Sequence, residues 1–123
     1  MPKRTDMEHL AQLRQIFETV SVEEALRQTA LLFPGRVRFS TSLGQEDQVL
    51  TDIIARHQIP VQVFTIDTGR LFNETYDTLE KTKARYKIPV DIFFPQAAAV
   101  ESMVNTHGIN LFYDSVEHRQ NCC

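Results

Sequence analysis

From Arg36 onward the chain alternates short β-prone runs with longer helical ones, and this alternation constrains the fold more than any other feature. Strands separated by helices pair in parallel, because a crossover helix is what returns the chain to the same edge of a sheet. Residues 37–40, 61–66 and 90–94 read as three such strands. Between them, residues 46–57 form a helix with Val49, Leu50, Ile53 and Ile54 on one face. Asn73 caps the next helix, which turns Tyr76, Leu79 and Tyr86 toward the core. A last helix over 97–107 ends at Gly108, a residue suited to a left-handed C-terminal position. The outcome is a β-α-β-α-β unit with right-handed crossovers.

Two helices precede this unit. Leu10, Leu13, Ile16, Phe17 and Val20 repeat at helical spacing, and Ser21-Val22-Glu23-Glu24 has the form of a capping box. Pro34 and Gly35 end the second helix. The chain of 123 residues, 42% of them hydrophobic, has apolar material for one core and too little for two. Residues 1–123 therefore read as one domain, with helices over 1–35 and the α/β core over 36–123. Formal charge is 13 minus 16, or -3, with both signs mixed along the chain, so no basic footprint for nucleic acid is present. No run approaches the roughly 20 apolar residues that span a bilayer, and a soluble cytoplasmic protein is expected.

Ligands of open parallel sheets bind outside the carboxyl ends of the strands, which directs attention to the loops after the first two. Residues 40–47 read Ser40-Thr41-Ser42-Leu43-Gly44-Gln45-Glu46-Asp47, hydroxyls and a glycine leading into a helix. Free amides and the helix dipole point the same way there, which suits phosphate or sulfate. An ordinary N-capped turn would need the same residue types. The segment has neither a Gly-x-x-x-x-Gly-Lys-Ser/Thr nor a Gly-x-Gly-x-x-Gly spacing, so an NTPase loop and an NAD site are both unsupported. After the second strand comes Asp67-Thr68-Gly69-Arg70. Asp67 and Thr68 can bond a ribose, Gly69 permits close backbone approach, and Arg70 presents a fork to an anion. A plain turn with a solvated arginine is the alternative. Two consecutive crossovers put both loops on one sheet edge, which favours a shared nucleotide pocket.

Both cysteines, Cys122 and Cys123, stand side by side. Adjacent alpha carbons lie about 3.8 Å apart, short of the roughly 4.4 to 6.8 Å of ordinary disulfides. A bond between them would be strained. Metal ligation, redox chemistry and two plain thiols stay open. His118 adds a His-x-x-x-Cys spacing, too few ligands for a site by itself. Phe93, Phe94, Phe112 and Tyr113 read as core, since no basic residues interleave with them.

The order and spacing of residues 39–50, residues 64–76 and the Cys122-Cys123 pair resemble the adenylyl-sulfate and phosphoadenylyl-sulfate reductase family, with Thr-Gly-Arg-Leu-Phe-Asn-Glu-Thr-Tyr over 68–76 as the most specific stretch. The resemblance runs from about Arg36 to Cys123. It implies an adenine nucleotide alpha hydrolase-like fold, similar to the ATP pyrophosphatases: a PP-loop parallel sheet with flanking helices, incomplete at the C-terminus. By this resemblance Ser40, Ser42, Gly44, Glu46 and Asp47 form the modified PP-loop that receives a sulfate or phosphosulfate group. Ile66 offers its backbone to adenine, and Asp67, Thr68, Gly69 and Arg70 line ribose and phosphosulfate.

In this family an adjacent Cys pair accompanies a [4Fe-4S] cluster and adenylyl sulfate as substrate, so Cys122 and Cys123 are implied cluster ligands. The implied reaction yields sulfite and AMP with thioredoxin as reductant. A tail cysteine attacks sulfur, AMP leaves, and thioredoxin releases sulfite from the S-sulfocysteine. The second Cys pair and that tail cysteine are missing from these 123 residues, so the chain reads as truncated and no catalytic residue is assigned in it. Alternatives are a nucleotide-binding fragment without catalysis, a phosphoadenylyl-sulfate reductase, and an ATP-cleaving PP-loop enzyme. The last is disfavoured by the absence of Ser-Gly-Gly-x-Asp-Ser at residues 40–47. A homo-oligomer is compatible with the sequence and not specified by it.

Overall fold

Three parallel strands in the order β1-β2-β3 organise the protein, seen in a computed structural model that describes residues 4–122. In chain order the elements are α1 (Arg4–Thr19), α2 (Val22–Leu32), β1 (Arg38–Ser40), α3 (Gln45–Arg56), β2 (Gln62–Ile66), α4 (Asn73–Tyr86), β3 (Val90–Phe93), α5 (Ala97–His107), α6 (Leu111–Asp114) and α7 (Val116–Cys122). The β-α-β-α-β reading of the sequence is thus the observed architecture, with strand ends shifted by a residue. Among the described residues no helix is long and apolar enough to cross a membrane.

Register places the two loops side by side. Ser40 stands opposite Phe64, and Thr65 opposite Ile92. The ladder continues past the strand ends, with Thr41 N donating to Phe64 O at 2.8 Å and Asp67 N to Phe93 O at 2.9 Å. Each loop therefore leaves the sheet already tied to its neighbour. Along β2 burial alternates, with Val63 and Thr65 in the core and Gln62 and Ile66 exposed, the period-2 sign of a half-covered sheet.

The core joins Val63 and Val90 of the sheet to Ile54 of α3, Leu79 of α4 and Ala30 of α2, with Ile59 and Val61 from the turn before β2. α3 and α4 pack side by side, and Gln48 Nε2 links them by donating to Thr82 Oγ1 at 2.8 Å. Ser21 caps α2 as its capping-box spacing predicts, its hydroxyl accepting from Glu24 N at 3.3 Å. On α1, Ile16 is buried, whereas Leu10 and Phe17 stay exposed, so only part of the predicted stripe is used.

Four details depart from the sequence reading. Phe72 occupies the N-cap of α4 and Asn73 begins the helix, one residue from the expected cap. Gly108 has φ 93 and ψ 157, a positive-φ extended conformation open to glycine and distinct from the left-handed helical one. Phe93, Phe94 and Tyr113 are exposed where core was expected. Phe93 meets Phe64 edge to face at 5.6 Å, and the side chain of Phe112 lies outside the described residues. The short helices α6 and α7 have no counterpart in the reading, because segments of four and seven residues show too few turns for a period to register.

Candidate nucleotide site

The turn between β1 and α3 is shaped by Leu43 and Asp47. Leu43 takes φ 64, a left-handed conformation that costs a non-glycine residue about 1–2 kcal/mol. It is held there by its amide donating to Thr41 Oγ1 at 3.0 Å. Asp47, in the first turn of α3, folds back so that its Oδ2 accepts both Ser42 Oγ at 2.6 Å and Ser42 N at 2.9 Å. These bonds, the hydroxyl one first, hold the Asp47 carboxyl below its ordinary value of 3.8. The Ser42 donors are thus committed within the loop, and Asp47 acts on the shape of the site. A carboxylate would repel an anion placed directly against it.

What the loop keeps available lies around it. Gly44 is the N-cap of α3 with no side-chain capping bond, so first-turn amides of the helix lack an intrahelical acceptor. Gly44 itself has φ -72, an ordinary conformation. The value of a glycine there is the uncovered helix start. Glu46 is exposed in the same turn.

The second loop is organised by Asp67, which is buried to 7% exposure. Its Oδ1 accepts from Gly69 N at 2.7 Å and from the Tyr76 hydroxyl at 2.9 Å. Gly69 has φ 84, the positive region that lets its amide turn back on Asp67. The bond to Asp67, followed by burial, raises the Tyr76 phenol above its usual 10.0. Thr68 is half-buried beside it. Arg70 donates to the carbonyl of Ile109, in the connection between α5 and α6, and so does not point into the pocket.

Two adjoining cavities lie between the loops. One of about 280 Å³ is lined by Ser40, Thr41, Ser42 and Asp47 on one side and by Thr65 and Ile66 on the other. An apolar one of about 240 Å³ is lined by Leu43, Asp67, Tyr76, Leu79, Ile92 and Phe94. Thr65, Leu71 and Thr75 belong to both, so the two cavities meet. Hydroxyl residues at one end and an apolar lining at the other have the chemistry of a phosphorylated nucleoside's two ends. A larger cavity, about 570 Å³, lies at the opposite end of the sheet among Gln58, Ile59, Lys87 and Pro89. Size is outweighed there by topology, since ligands of parallel sheets bind beyond the carboxyl ends of strands.

The structure brings Ser40, Ser42, Asp47, Ile66 and Asp67 to these cavities. Gly44 and Glu46 mark the adjacent helix start, while Thr68, Gly69 and Arg70 stand behind or beside the lining. Tyr76, Thr65 and Thr75 were not legible as site residues. Tyr76 sits at a core position of its helix, and nothing local reveals that its hydroxyl reaches back nine residues. Cys123 and the side chain of Cys122, the expected metal ligands, lie outside the described residues. Among those described, no group of three or more His, Cys, Asp or Glu is placed to hold a metal ion. His118 Nδ1 lies 3.9 Å from Asp114 Oδ2, inside ion-pair range yet too long for a hydrogen bond, and it is buried without a bonding partner.

The phosphoadenosine phosphosulfate reductase domain family matches residues 36–123, which spans both loops and the whole α/β unit. Adenosine 5'-phosphosulfate reductase of Agrobacterium fabrum is 45% identical over 89 residues, covering 72% of this chain and 34% of the relative. The enzyme of that name from Sinorhizobium fredii is 46% identical over 89 residues, 72% of this chain and 36% of its own. That from Allochromatium vinosum is 45% identical over 85 residues, 69% of this chain and 33% of its own. This chain thus spans 33 to 36% of the length of these curated relatives. With the matched segment coinciding with the sheet and both pocket loops, the chain belongs to the phosphoadenosine phosphosulfate reductase domain family.

Proposed function

We propose that this chain is the nucleotide-binding part of an adenylyl-sulfate reductase of the cytoplasm, which forms sulfite and AMP with thioredoxin as electron donor. The observation that carries the reading is the meeting of a hydroxyl-lined and an apolar cavity between two loops on one sheet edge. The names of the relatives, adenosine 5'-phosphosulfate reductases, support the substrate.

The nucleoside occupies the apolar cavity, with the Ile66 backbone toward adenine and the Asp67 carboxylate accepting from ribose. Its charged end lies toward Ser40 and the start of α3, where Gly44 provides no side-chain cap and the helix dipole favours negative charge. Ser42, Glu46 and Asp47 shape that loop, and Thr68 and Gly69 shape the other. Arg70 joins the anion by exchanging the Ile109 carbonyl for an oxygen of the substrate. What these residues supply is binding and orientation of the sulfonucleotide, and no catalytic group is assigned among them.

A [4Fe-4S] cluster normally takes four thiolates, and this chain contributes two, Cys122 and Cys123. Those two thiols are half of a cluster's donor set. The test is turnover by the full natural protein with reduced thioredoxin. Sulfite from adenylyl sulfate is expected; sulfite from phosphoadenylyl sulfate alone would refute the substrate assignment.

A further inference from the structure

We infer that Tyr76 is a positioning residue for nucleotide binding, which acts by pinning one oxygen of Asp67 so that the other faces the ligand. The inference rests on the nucleotide-pocket reading above and adds a residue and a division of labour to it. Asp67 Oδ1 is fully engaged, accepting from Gly69 N at 2.7 Å and Tyr76 Oη at 2.9 Å. Oδ2 makes no hydrogen bond among the described residues. It is also not sealed off, because the buried side-chain polar atoms without partners among those residues are Gln48 Oε1 and His118 Nδ1. A carboxylate oxygen that is neither bonded nor sealed off, on a residue that lines the cavity with Tyr76, is available to a ligand there.

Geometry explains why two donors are needed. Gly69 reaches Asp67 from within the same turn and fixes only the near side of the carboxylate. Tyr76 approaches from the second turn's start on α4, across the mouth of the loop. Two donors on one oxygen set the carboxylate plane, which a single bond leaves free to rotate about χ2. A ligand hydroxyl then meets an acceptor already oriented, and the ordering cost of binding falls. The phenol lines the same cavity as Leu79 and Phe94, and its place on α4 fixes where the hydroxyl reaches.

Calorimetry on the full natural protein with AMP, 2'-deoxy-AMP and 3'-deoxy-AMP tests this through Y76F, D67N and the double variant. Y76F should weaken AMP by about tenfold, comparable to one oriented hydrogen bond. The penalty should vanish for the deoxynucleotide that lacks the hydroxyl Asp67 accepts from, and Y76F should add nothing in the D67N background. A penalty on AMP and both deoxynucleotides alike, or one that adds to D67N, would make Tyr76 merely structural and overturn the inference. D67N binding AMP as the natural protein does would instead overturn the pocket reading itself. If Y76F lowers the melting temperature enough to confuse the comparison, the Tyr76 Cζ resonance of the unmodified protein decides. It should move with AMP and stay with the deoxynucleotide lacking the contacted hydroxyl; equal movement with all three would overturn the inference.

Discussion

Replacing Asp47 with alanine should cost about 0.8 to 1.5 kcal/mol of stability near neutral pH, and most of that cost should disappear in acid. The side chain accepts Ser42 N at 2.9 Å and Ser42 Oγ at 2.6 Å on a single oxygen. A hydrogen bond to a charged group contributes about 1.5–3 kcal/mol when shielded. Asp47 is only half-buried and its two bonds share one atom, so screening brings the pair to about 1 kcal/mol. Its place in the first turn of α3 adds about 0.3–1 kcal/mol through the helix dipole. The better helix propensity of alanine returns about 0.5 kcal/mol.

The sign of the pH dependence follows from the lowered pKa of Asp47. A depressed carboxyl contributes fully above its unfolded value, near 3.8, and loses the contribution as pH falls through the folded value. Urea unfolding of the natural chain and D47A should therefore show a gap at about pH 7 that narrows by about pH 2.5. A Ser42→Ala variant and the double variant complete a cycle, in which the pair should show coupling of about 0.5 kcal/mol, the share of the hydroxyl bond, since alanine keeps the Ser42 amide. An equal gap at both pH values, or strictly additive single variants, would refute the view that Asp47 clasps the loop through its charge.

Three further outcomes are expected. Leu79→Ala should lose about 2–5 kcal/mol in urea unfolding, because Leu79 is 5% exposed and joins α4 to the sheet. Gly69→Ala should lose about 1–2 kcal/mol. Its φ of 84 is strained for alanine while the space around it is open, and AMP affinity measured by calorimetry should fall with the shifted amide. Gly44→Ser should gain a few tenths of a kcal/mol by capping α3, about 0.3 kcal/mol, yet weaken adenylyl sulfate in the same titration, since the new hydroxyl takes up amides the anion needs.

How much of this was legible in the sequence depends on the range of the interaction. Strands, crossovers and the α2 cap were readable because each rests on neighbours within one or two turns, as Ser21 and Glu24 do. The position of both loops on one edge also followed, since topology alone decides it. The division of roles inside the pocket did not follow. Ser42 and Asp47 look like two ligands in the sequence and prove to be partners of each other. Tyr76 looks like core and bonds Asp67. Arg70 looks like an anion fork and rests on the Ile109 carbonyl, 39 residues away. Each of these depends on side-chain direction across a loop, which residue type and spacing leave undetermined. Phe94 and Tyr113 differ from the sequence expectation for a related reason, since aromatic character does not entail burial and exposed aromatics are common.

The central claim is that residues 40–47 and 67–70 build one pocket for an adenine nucleotide. Calorimetric titration of the natural protein with AMP, repeated with adenylyl sulfate as competitor, tests it most directly. Saturable one-to-one binding of AMP, displaced by adenylyl sulfate and lost on Asp67→Asn, is the predicted result. Binding that survives Asp67→Asn unchanged, or no heat from either nucleotide, would contradict it.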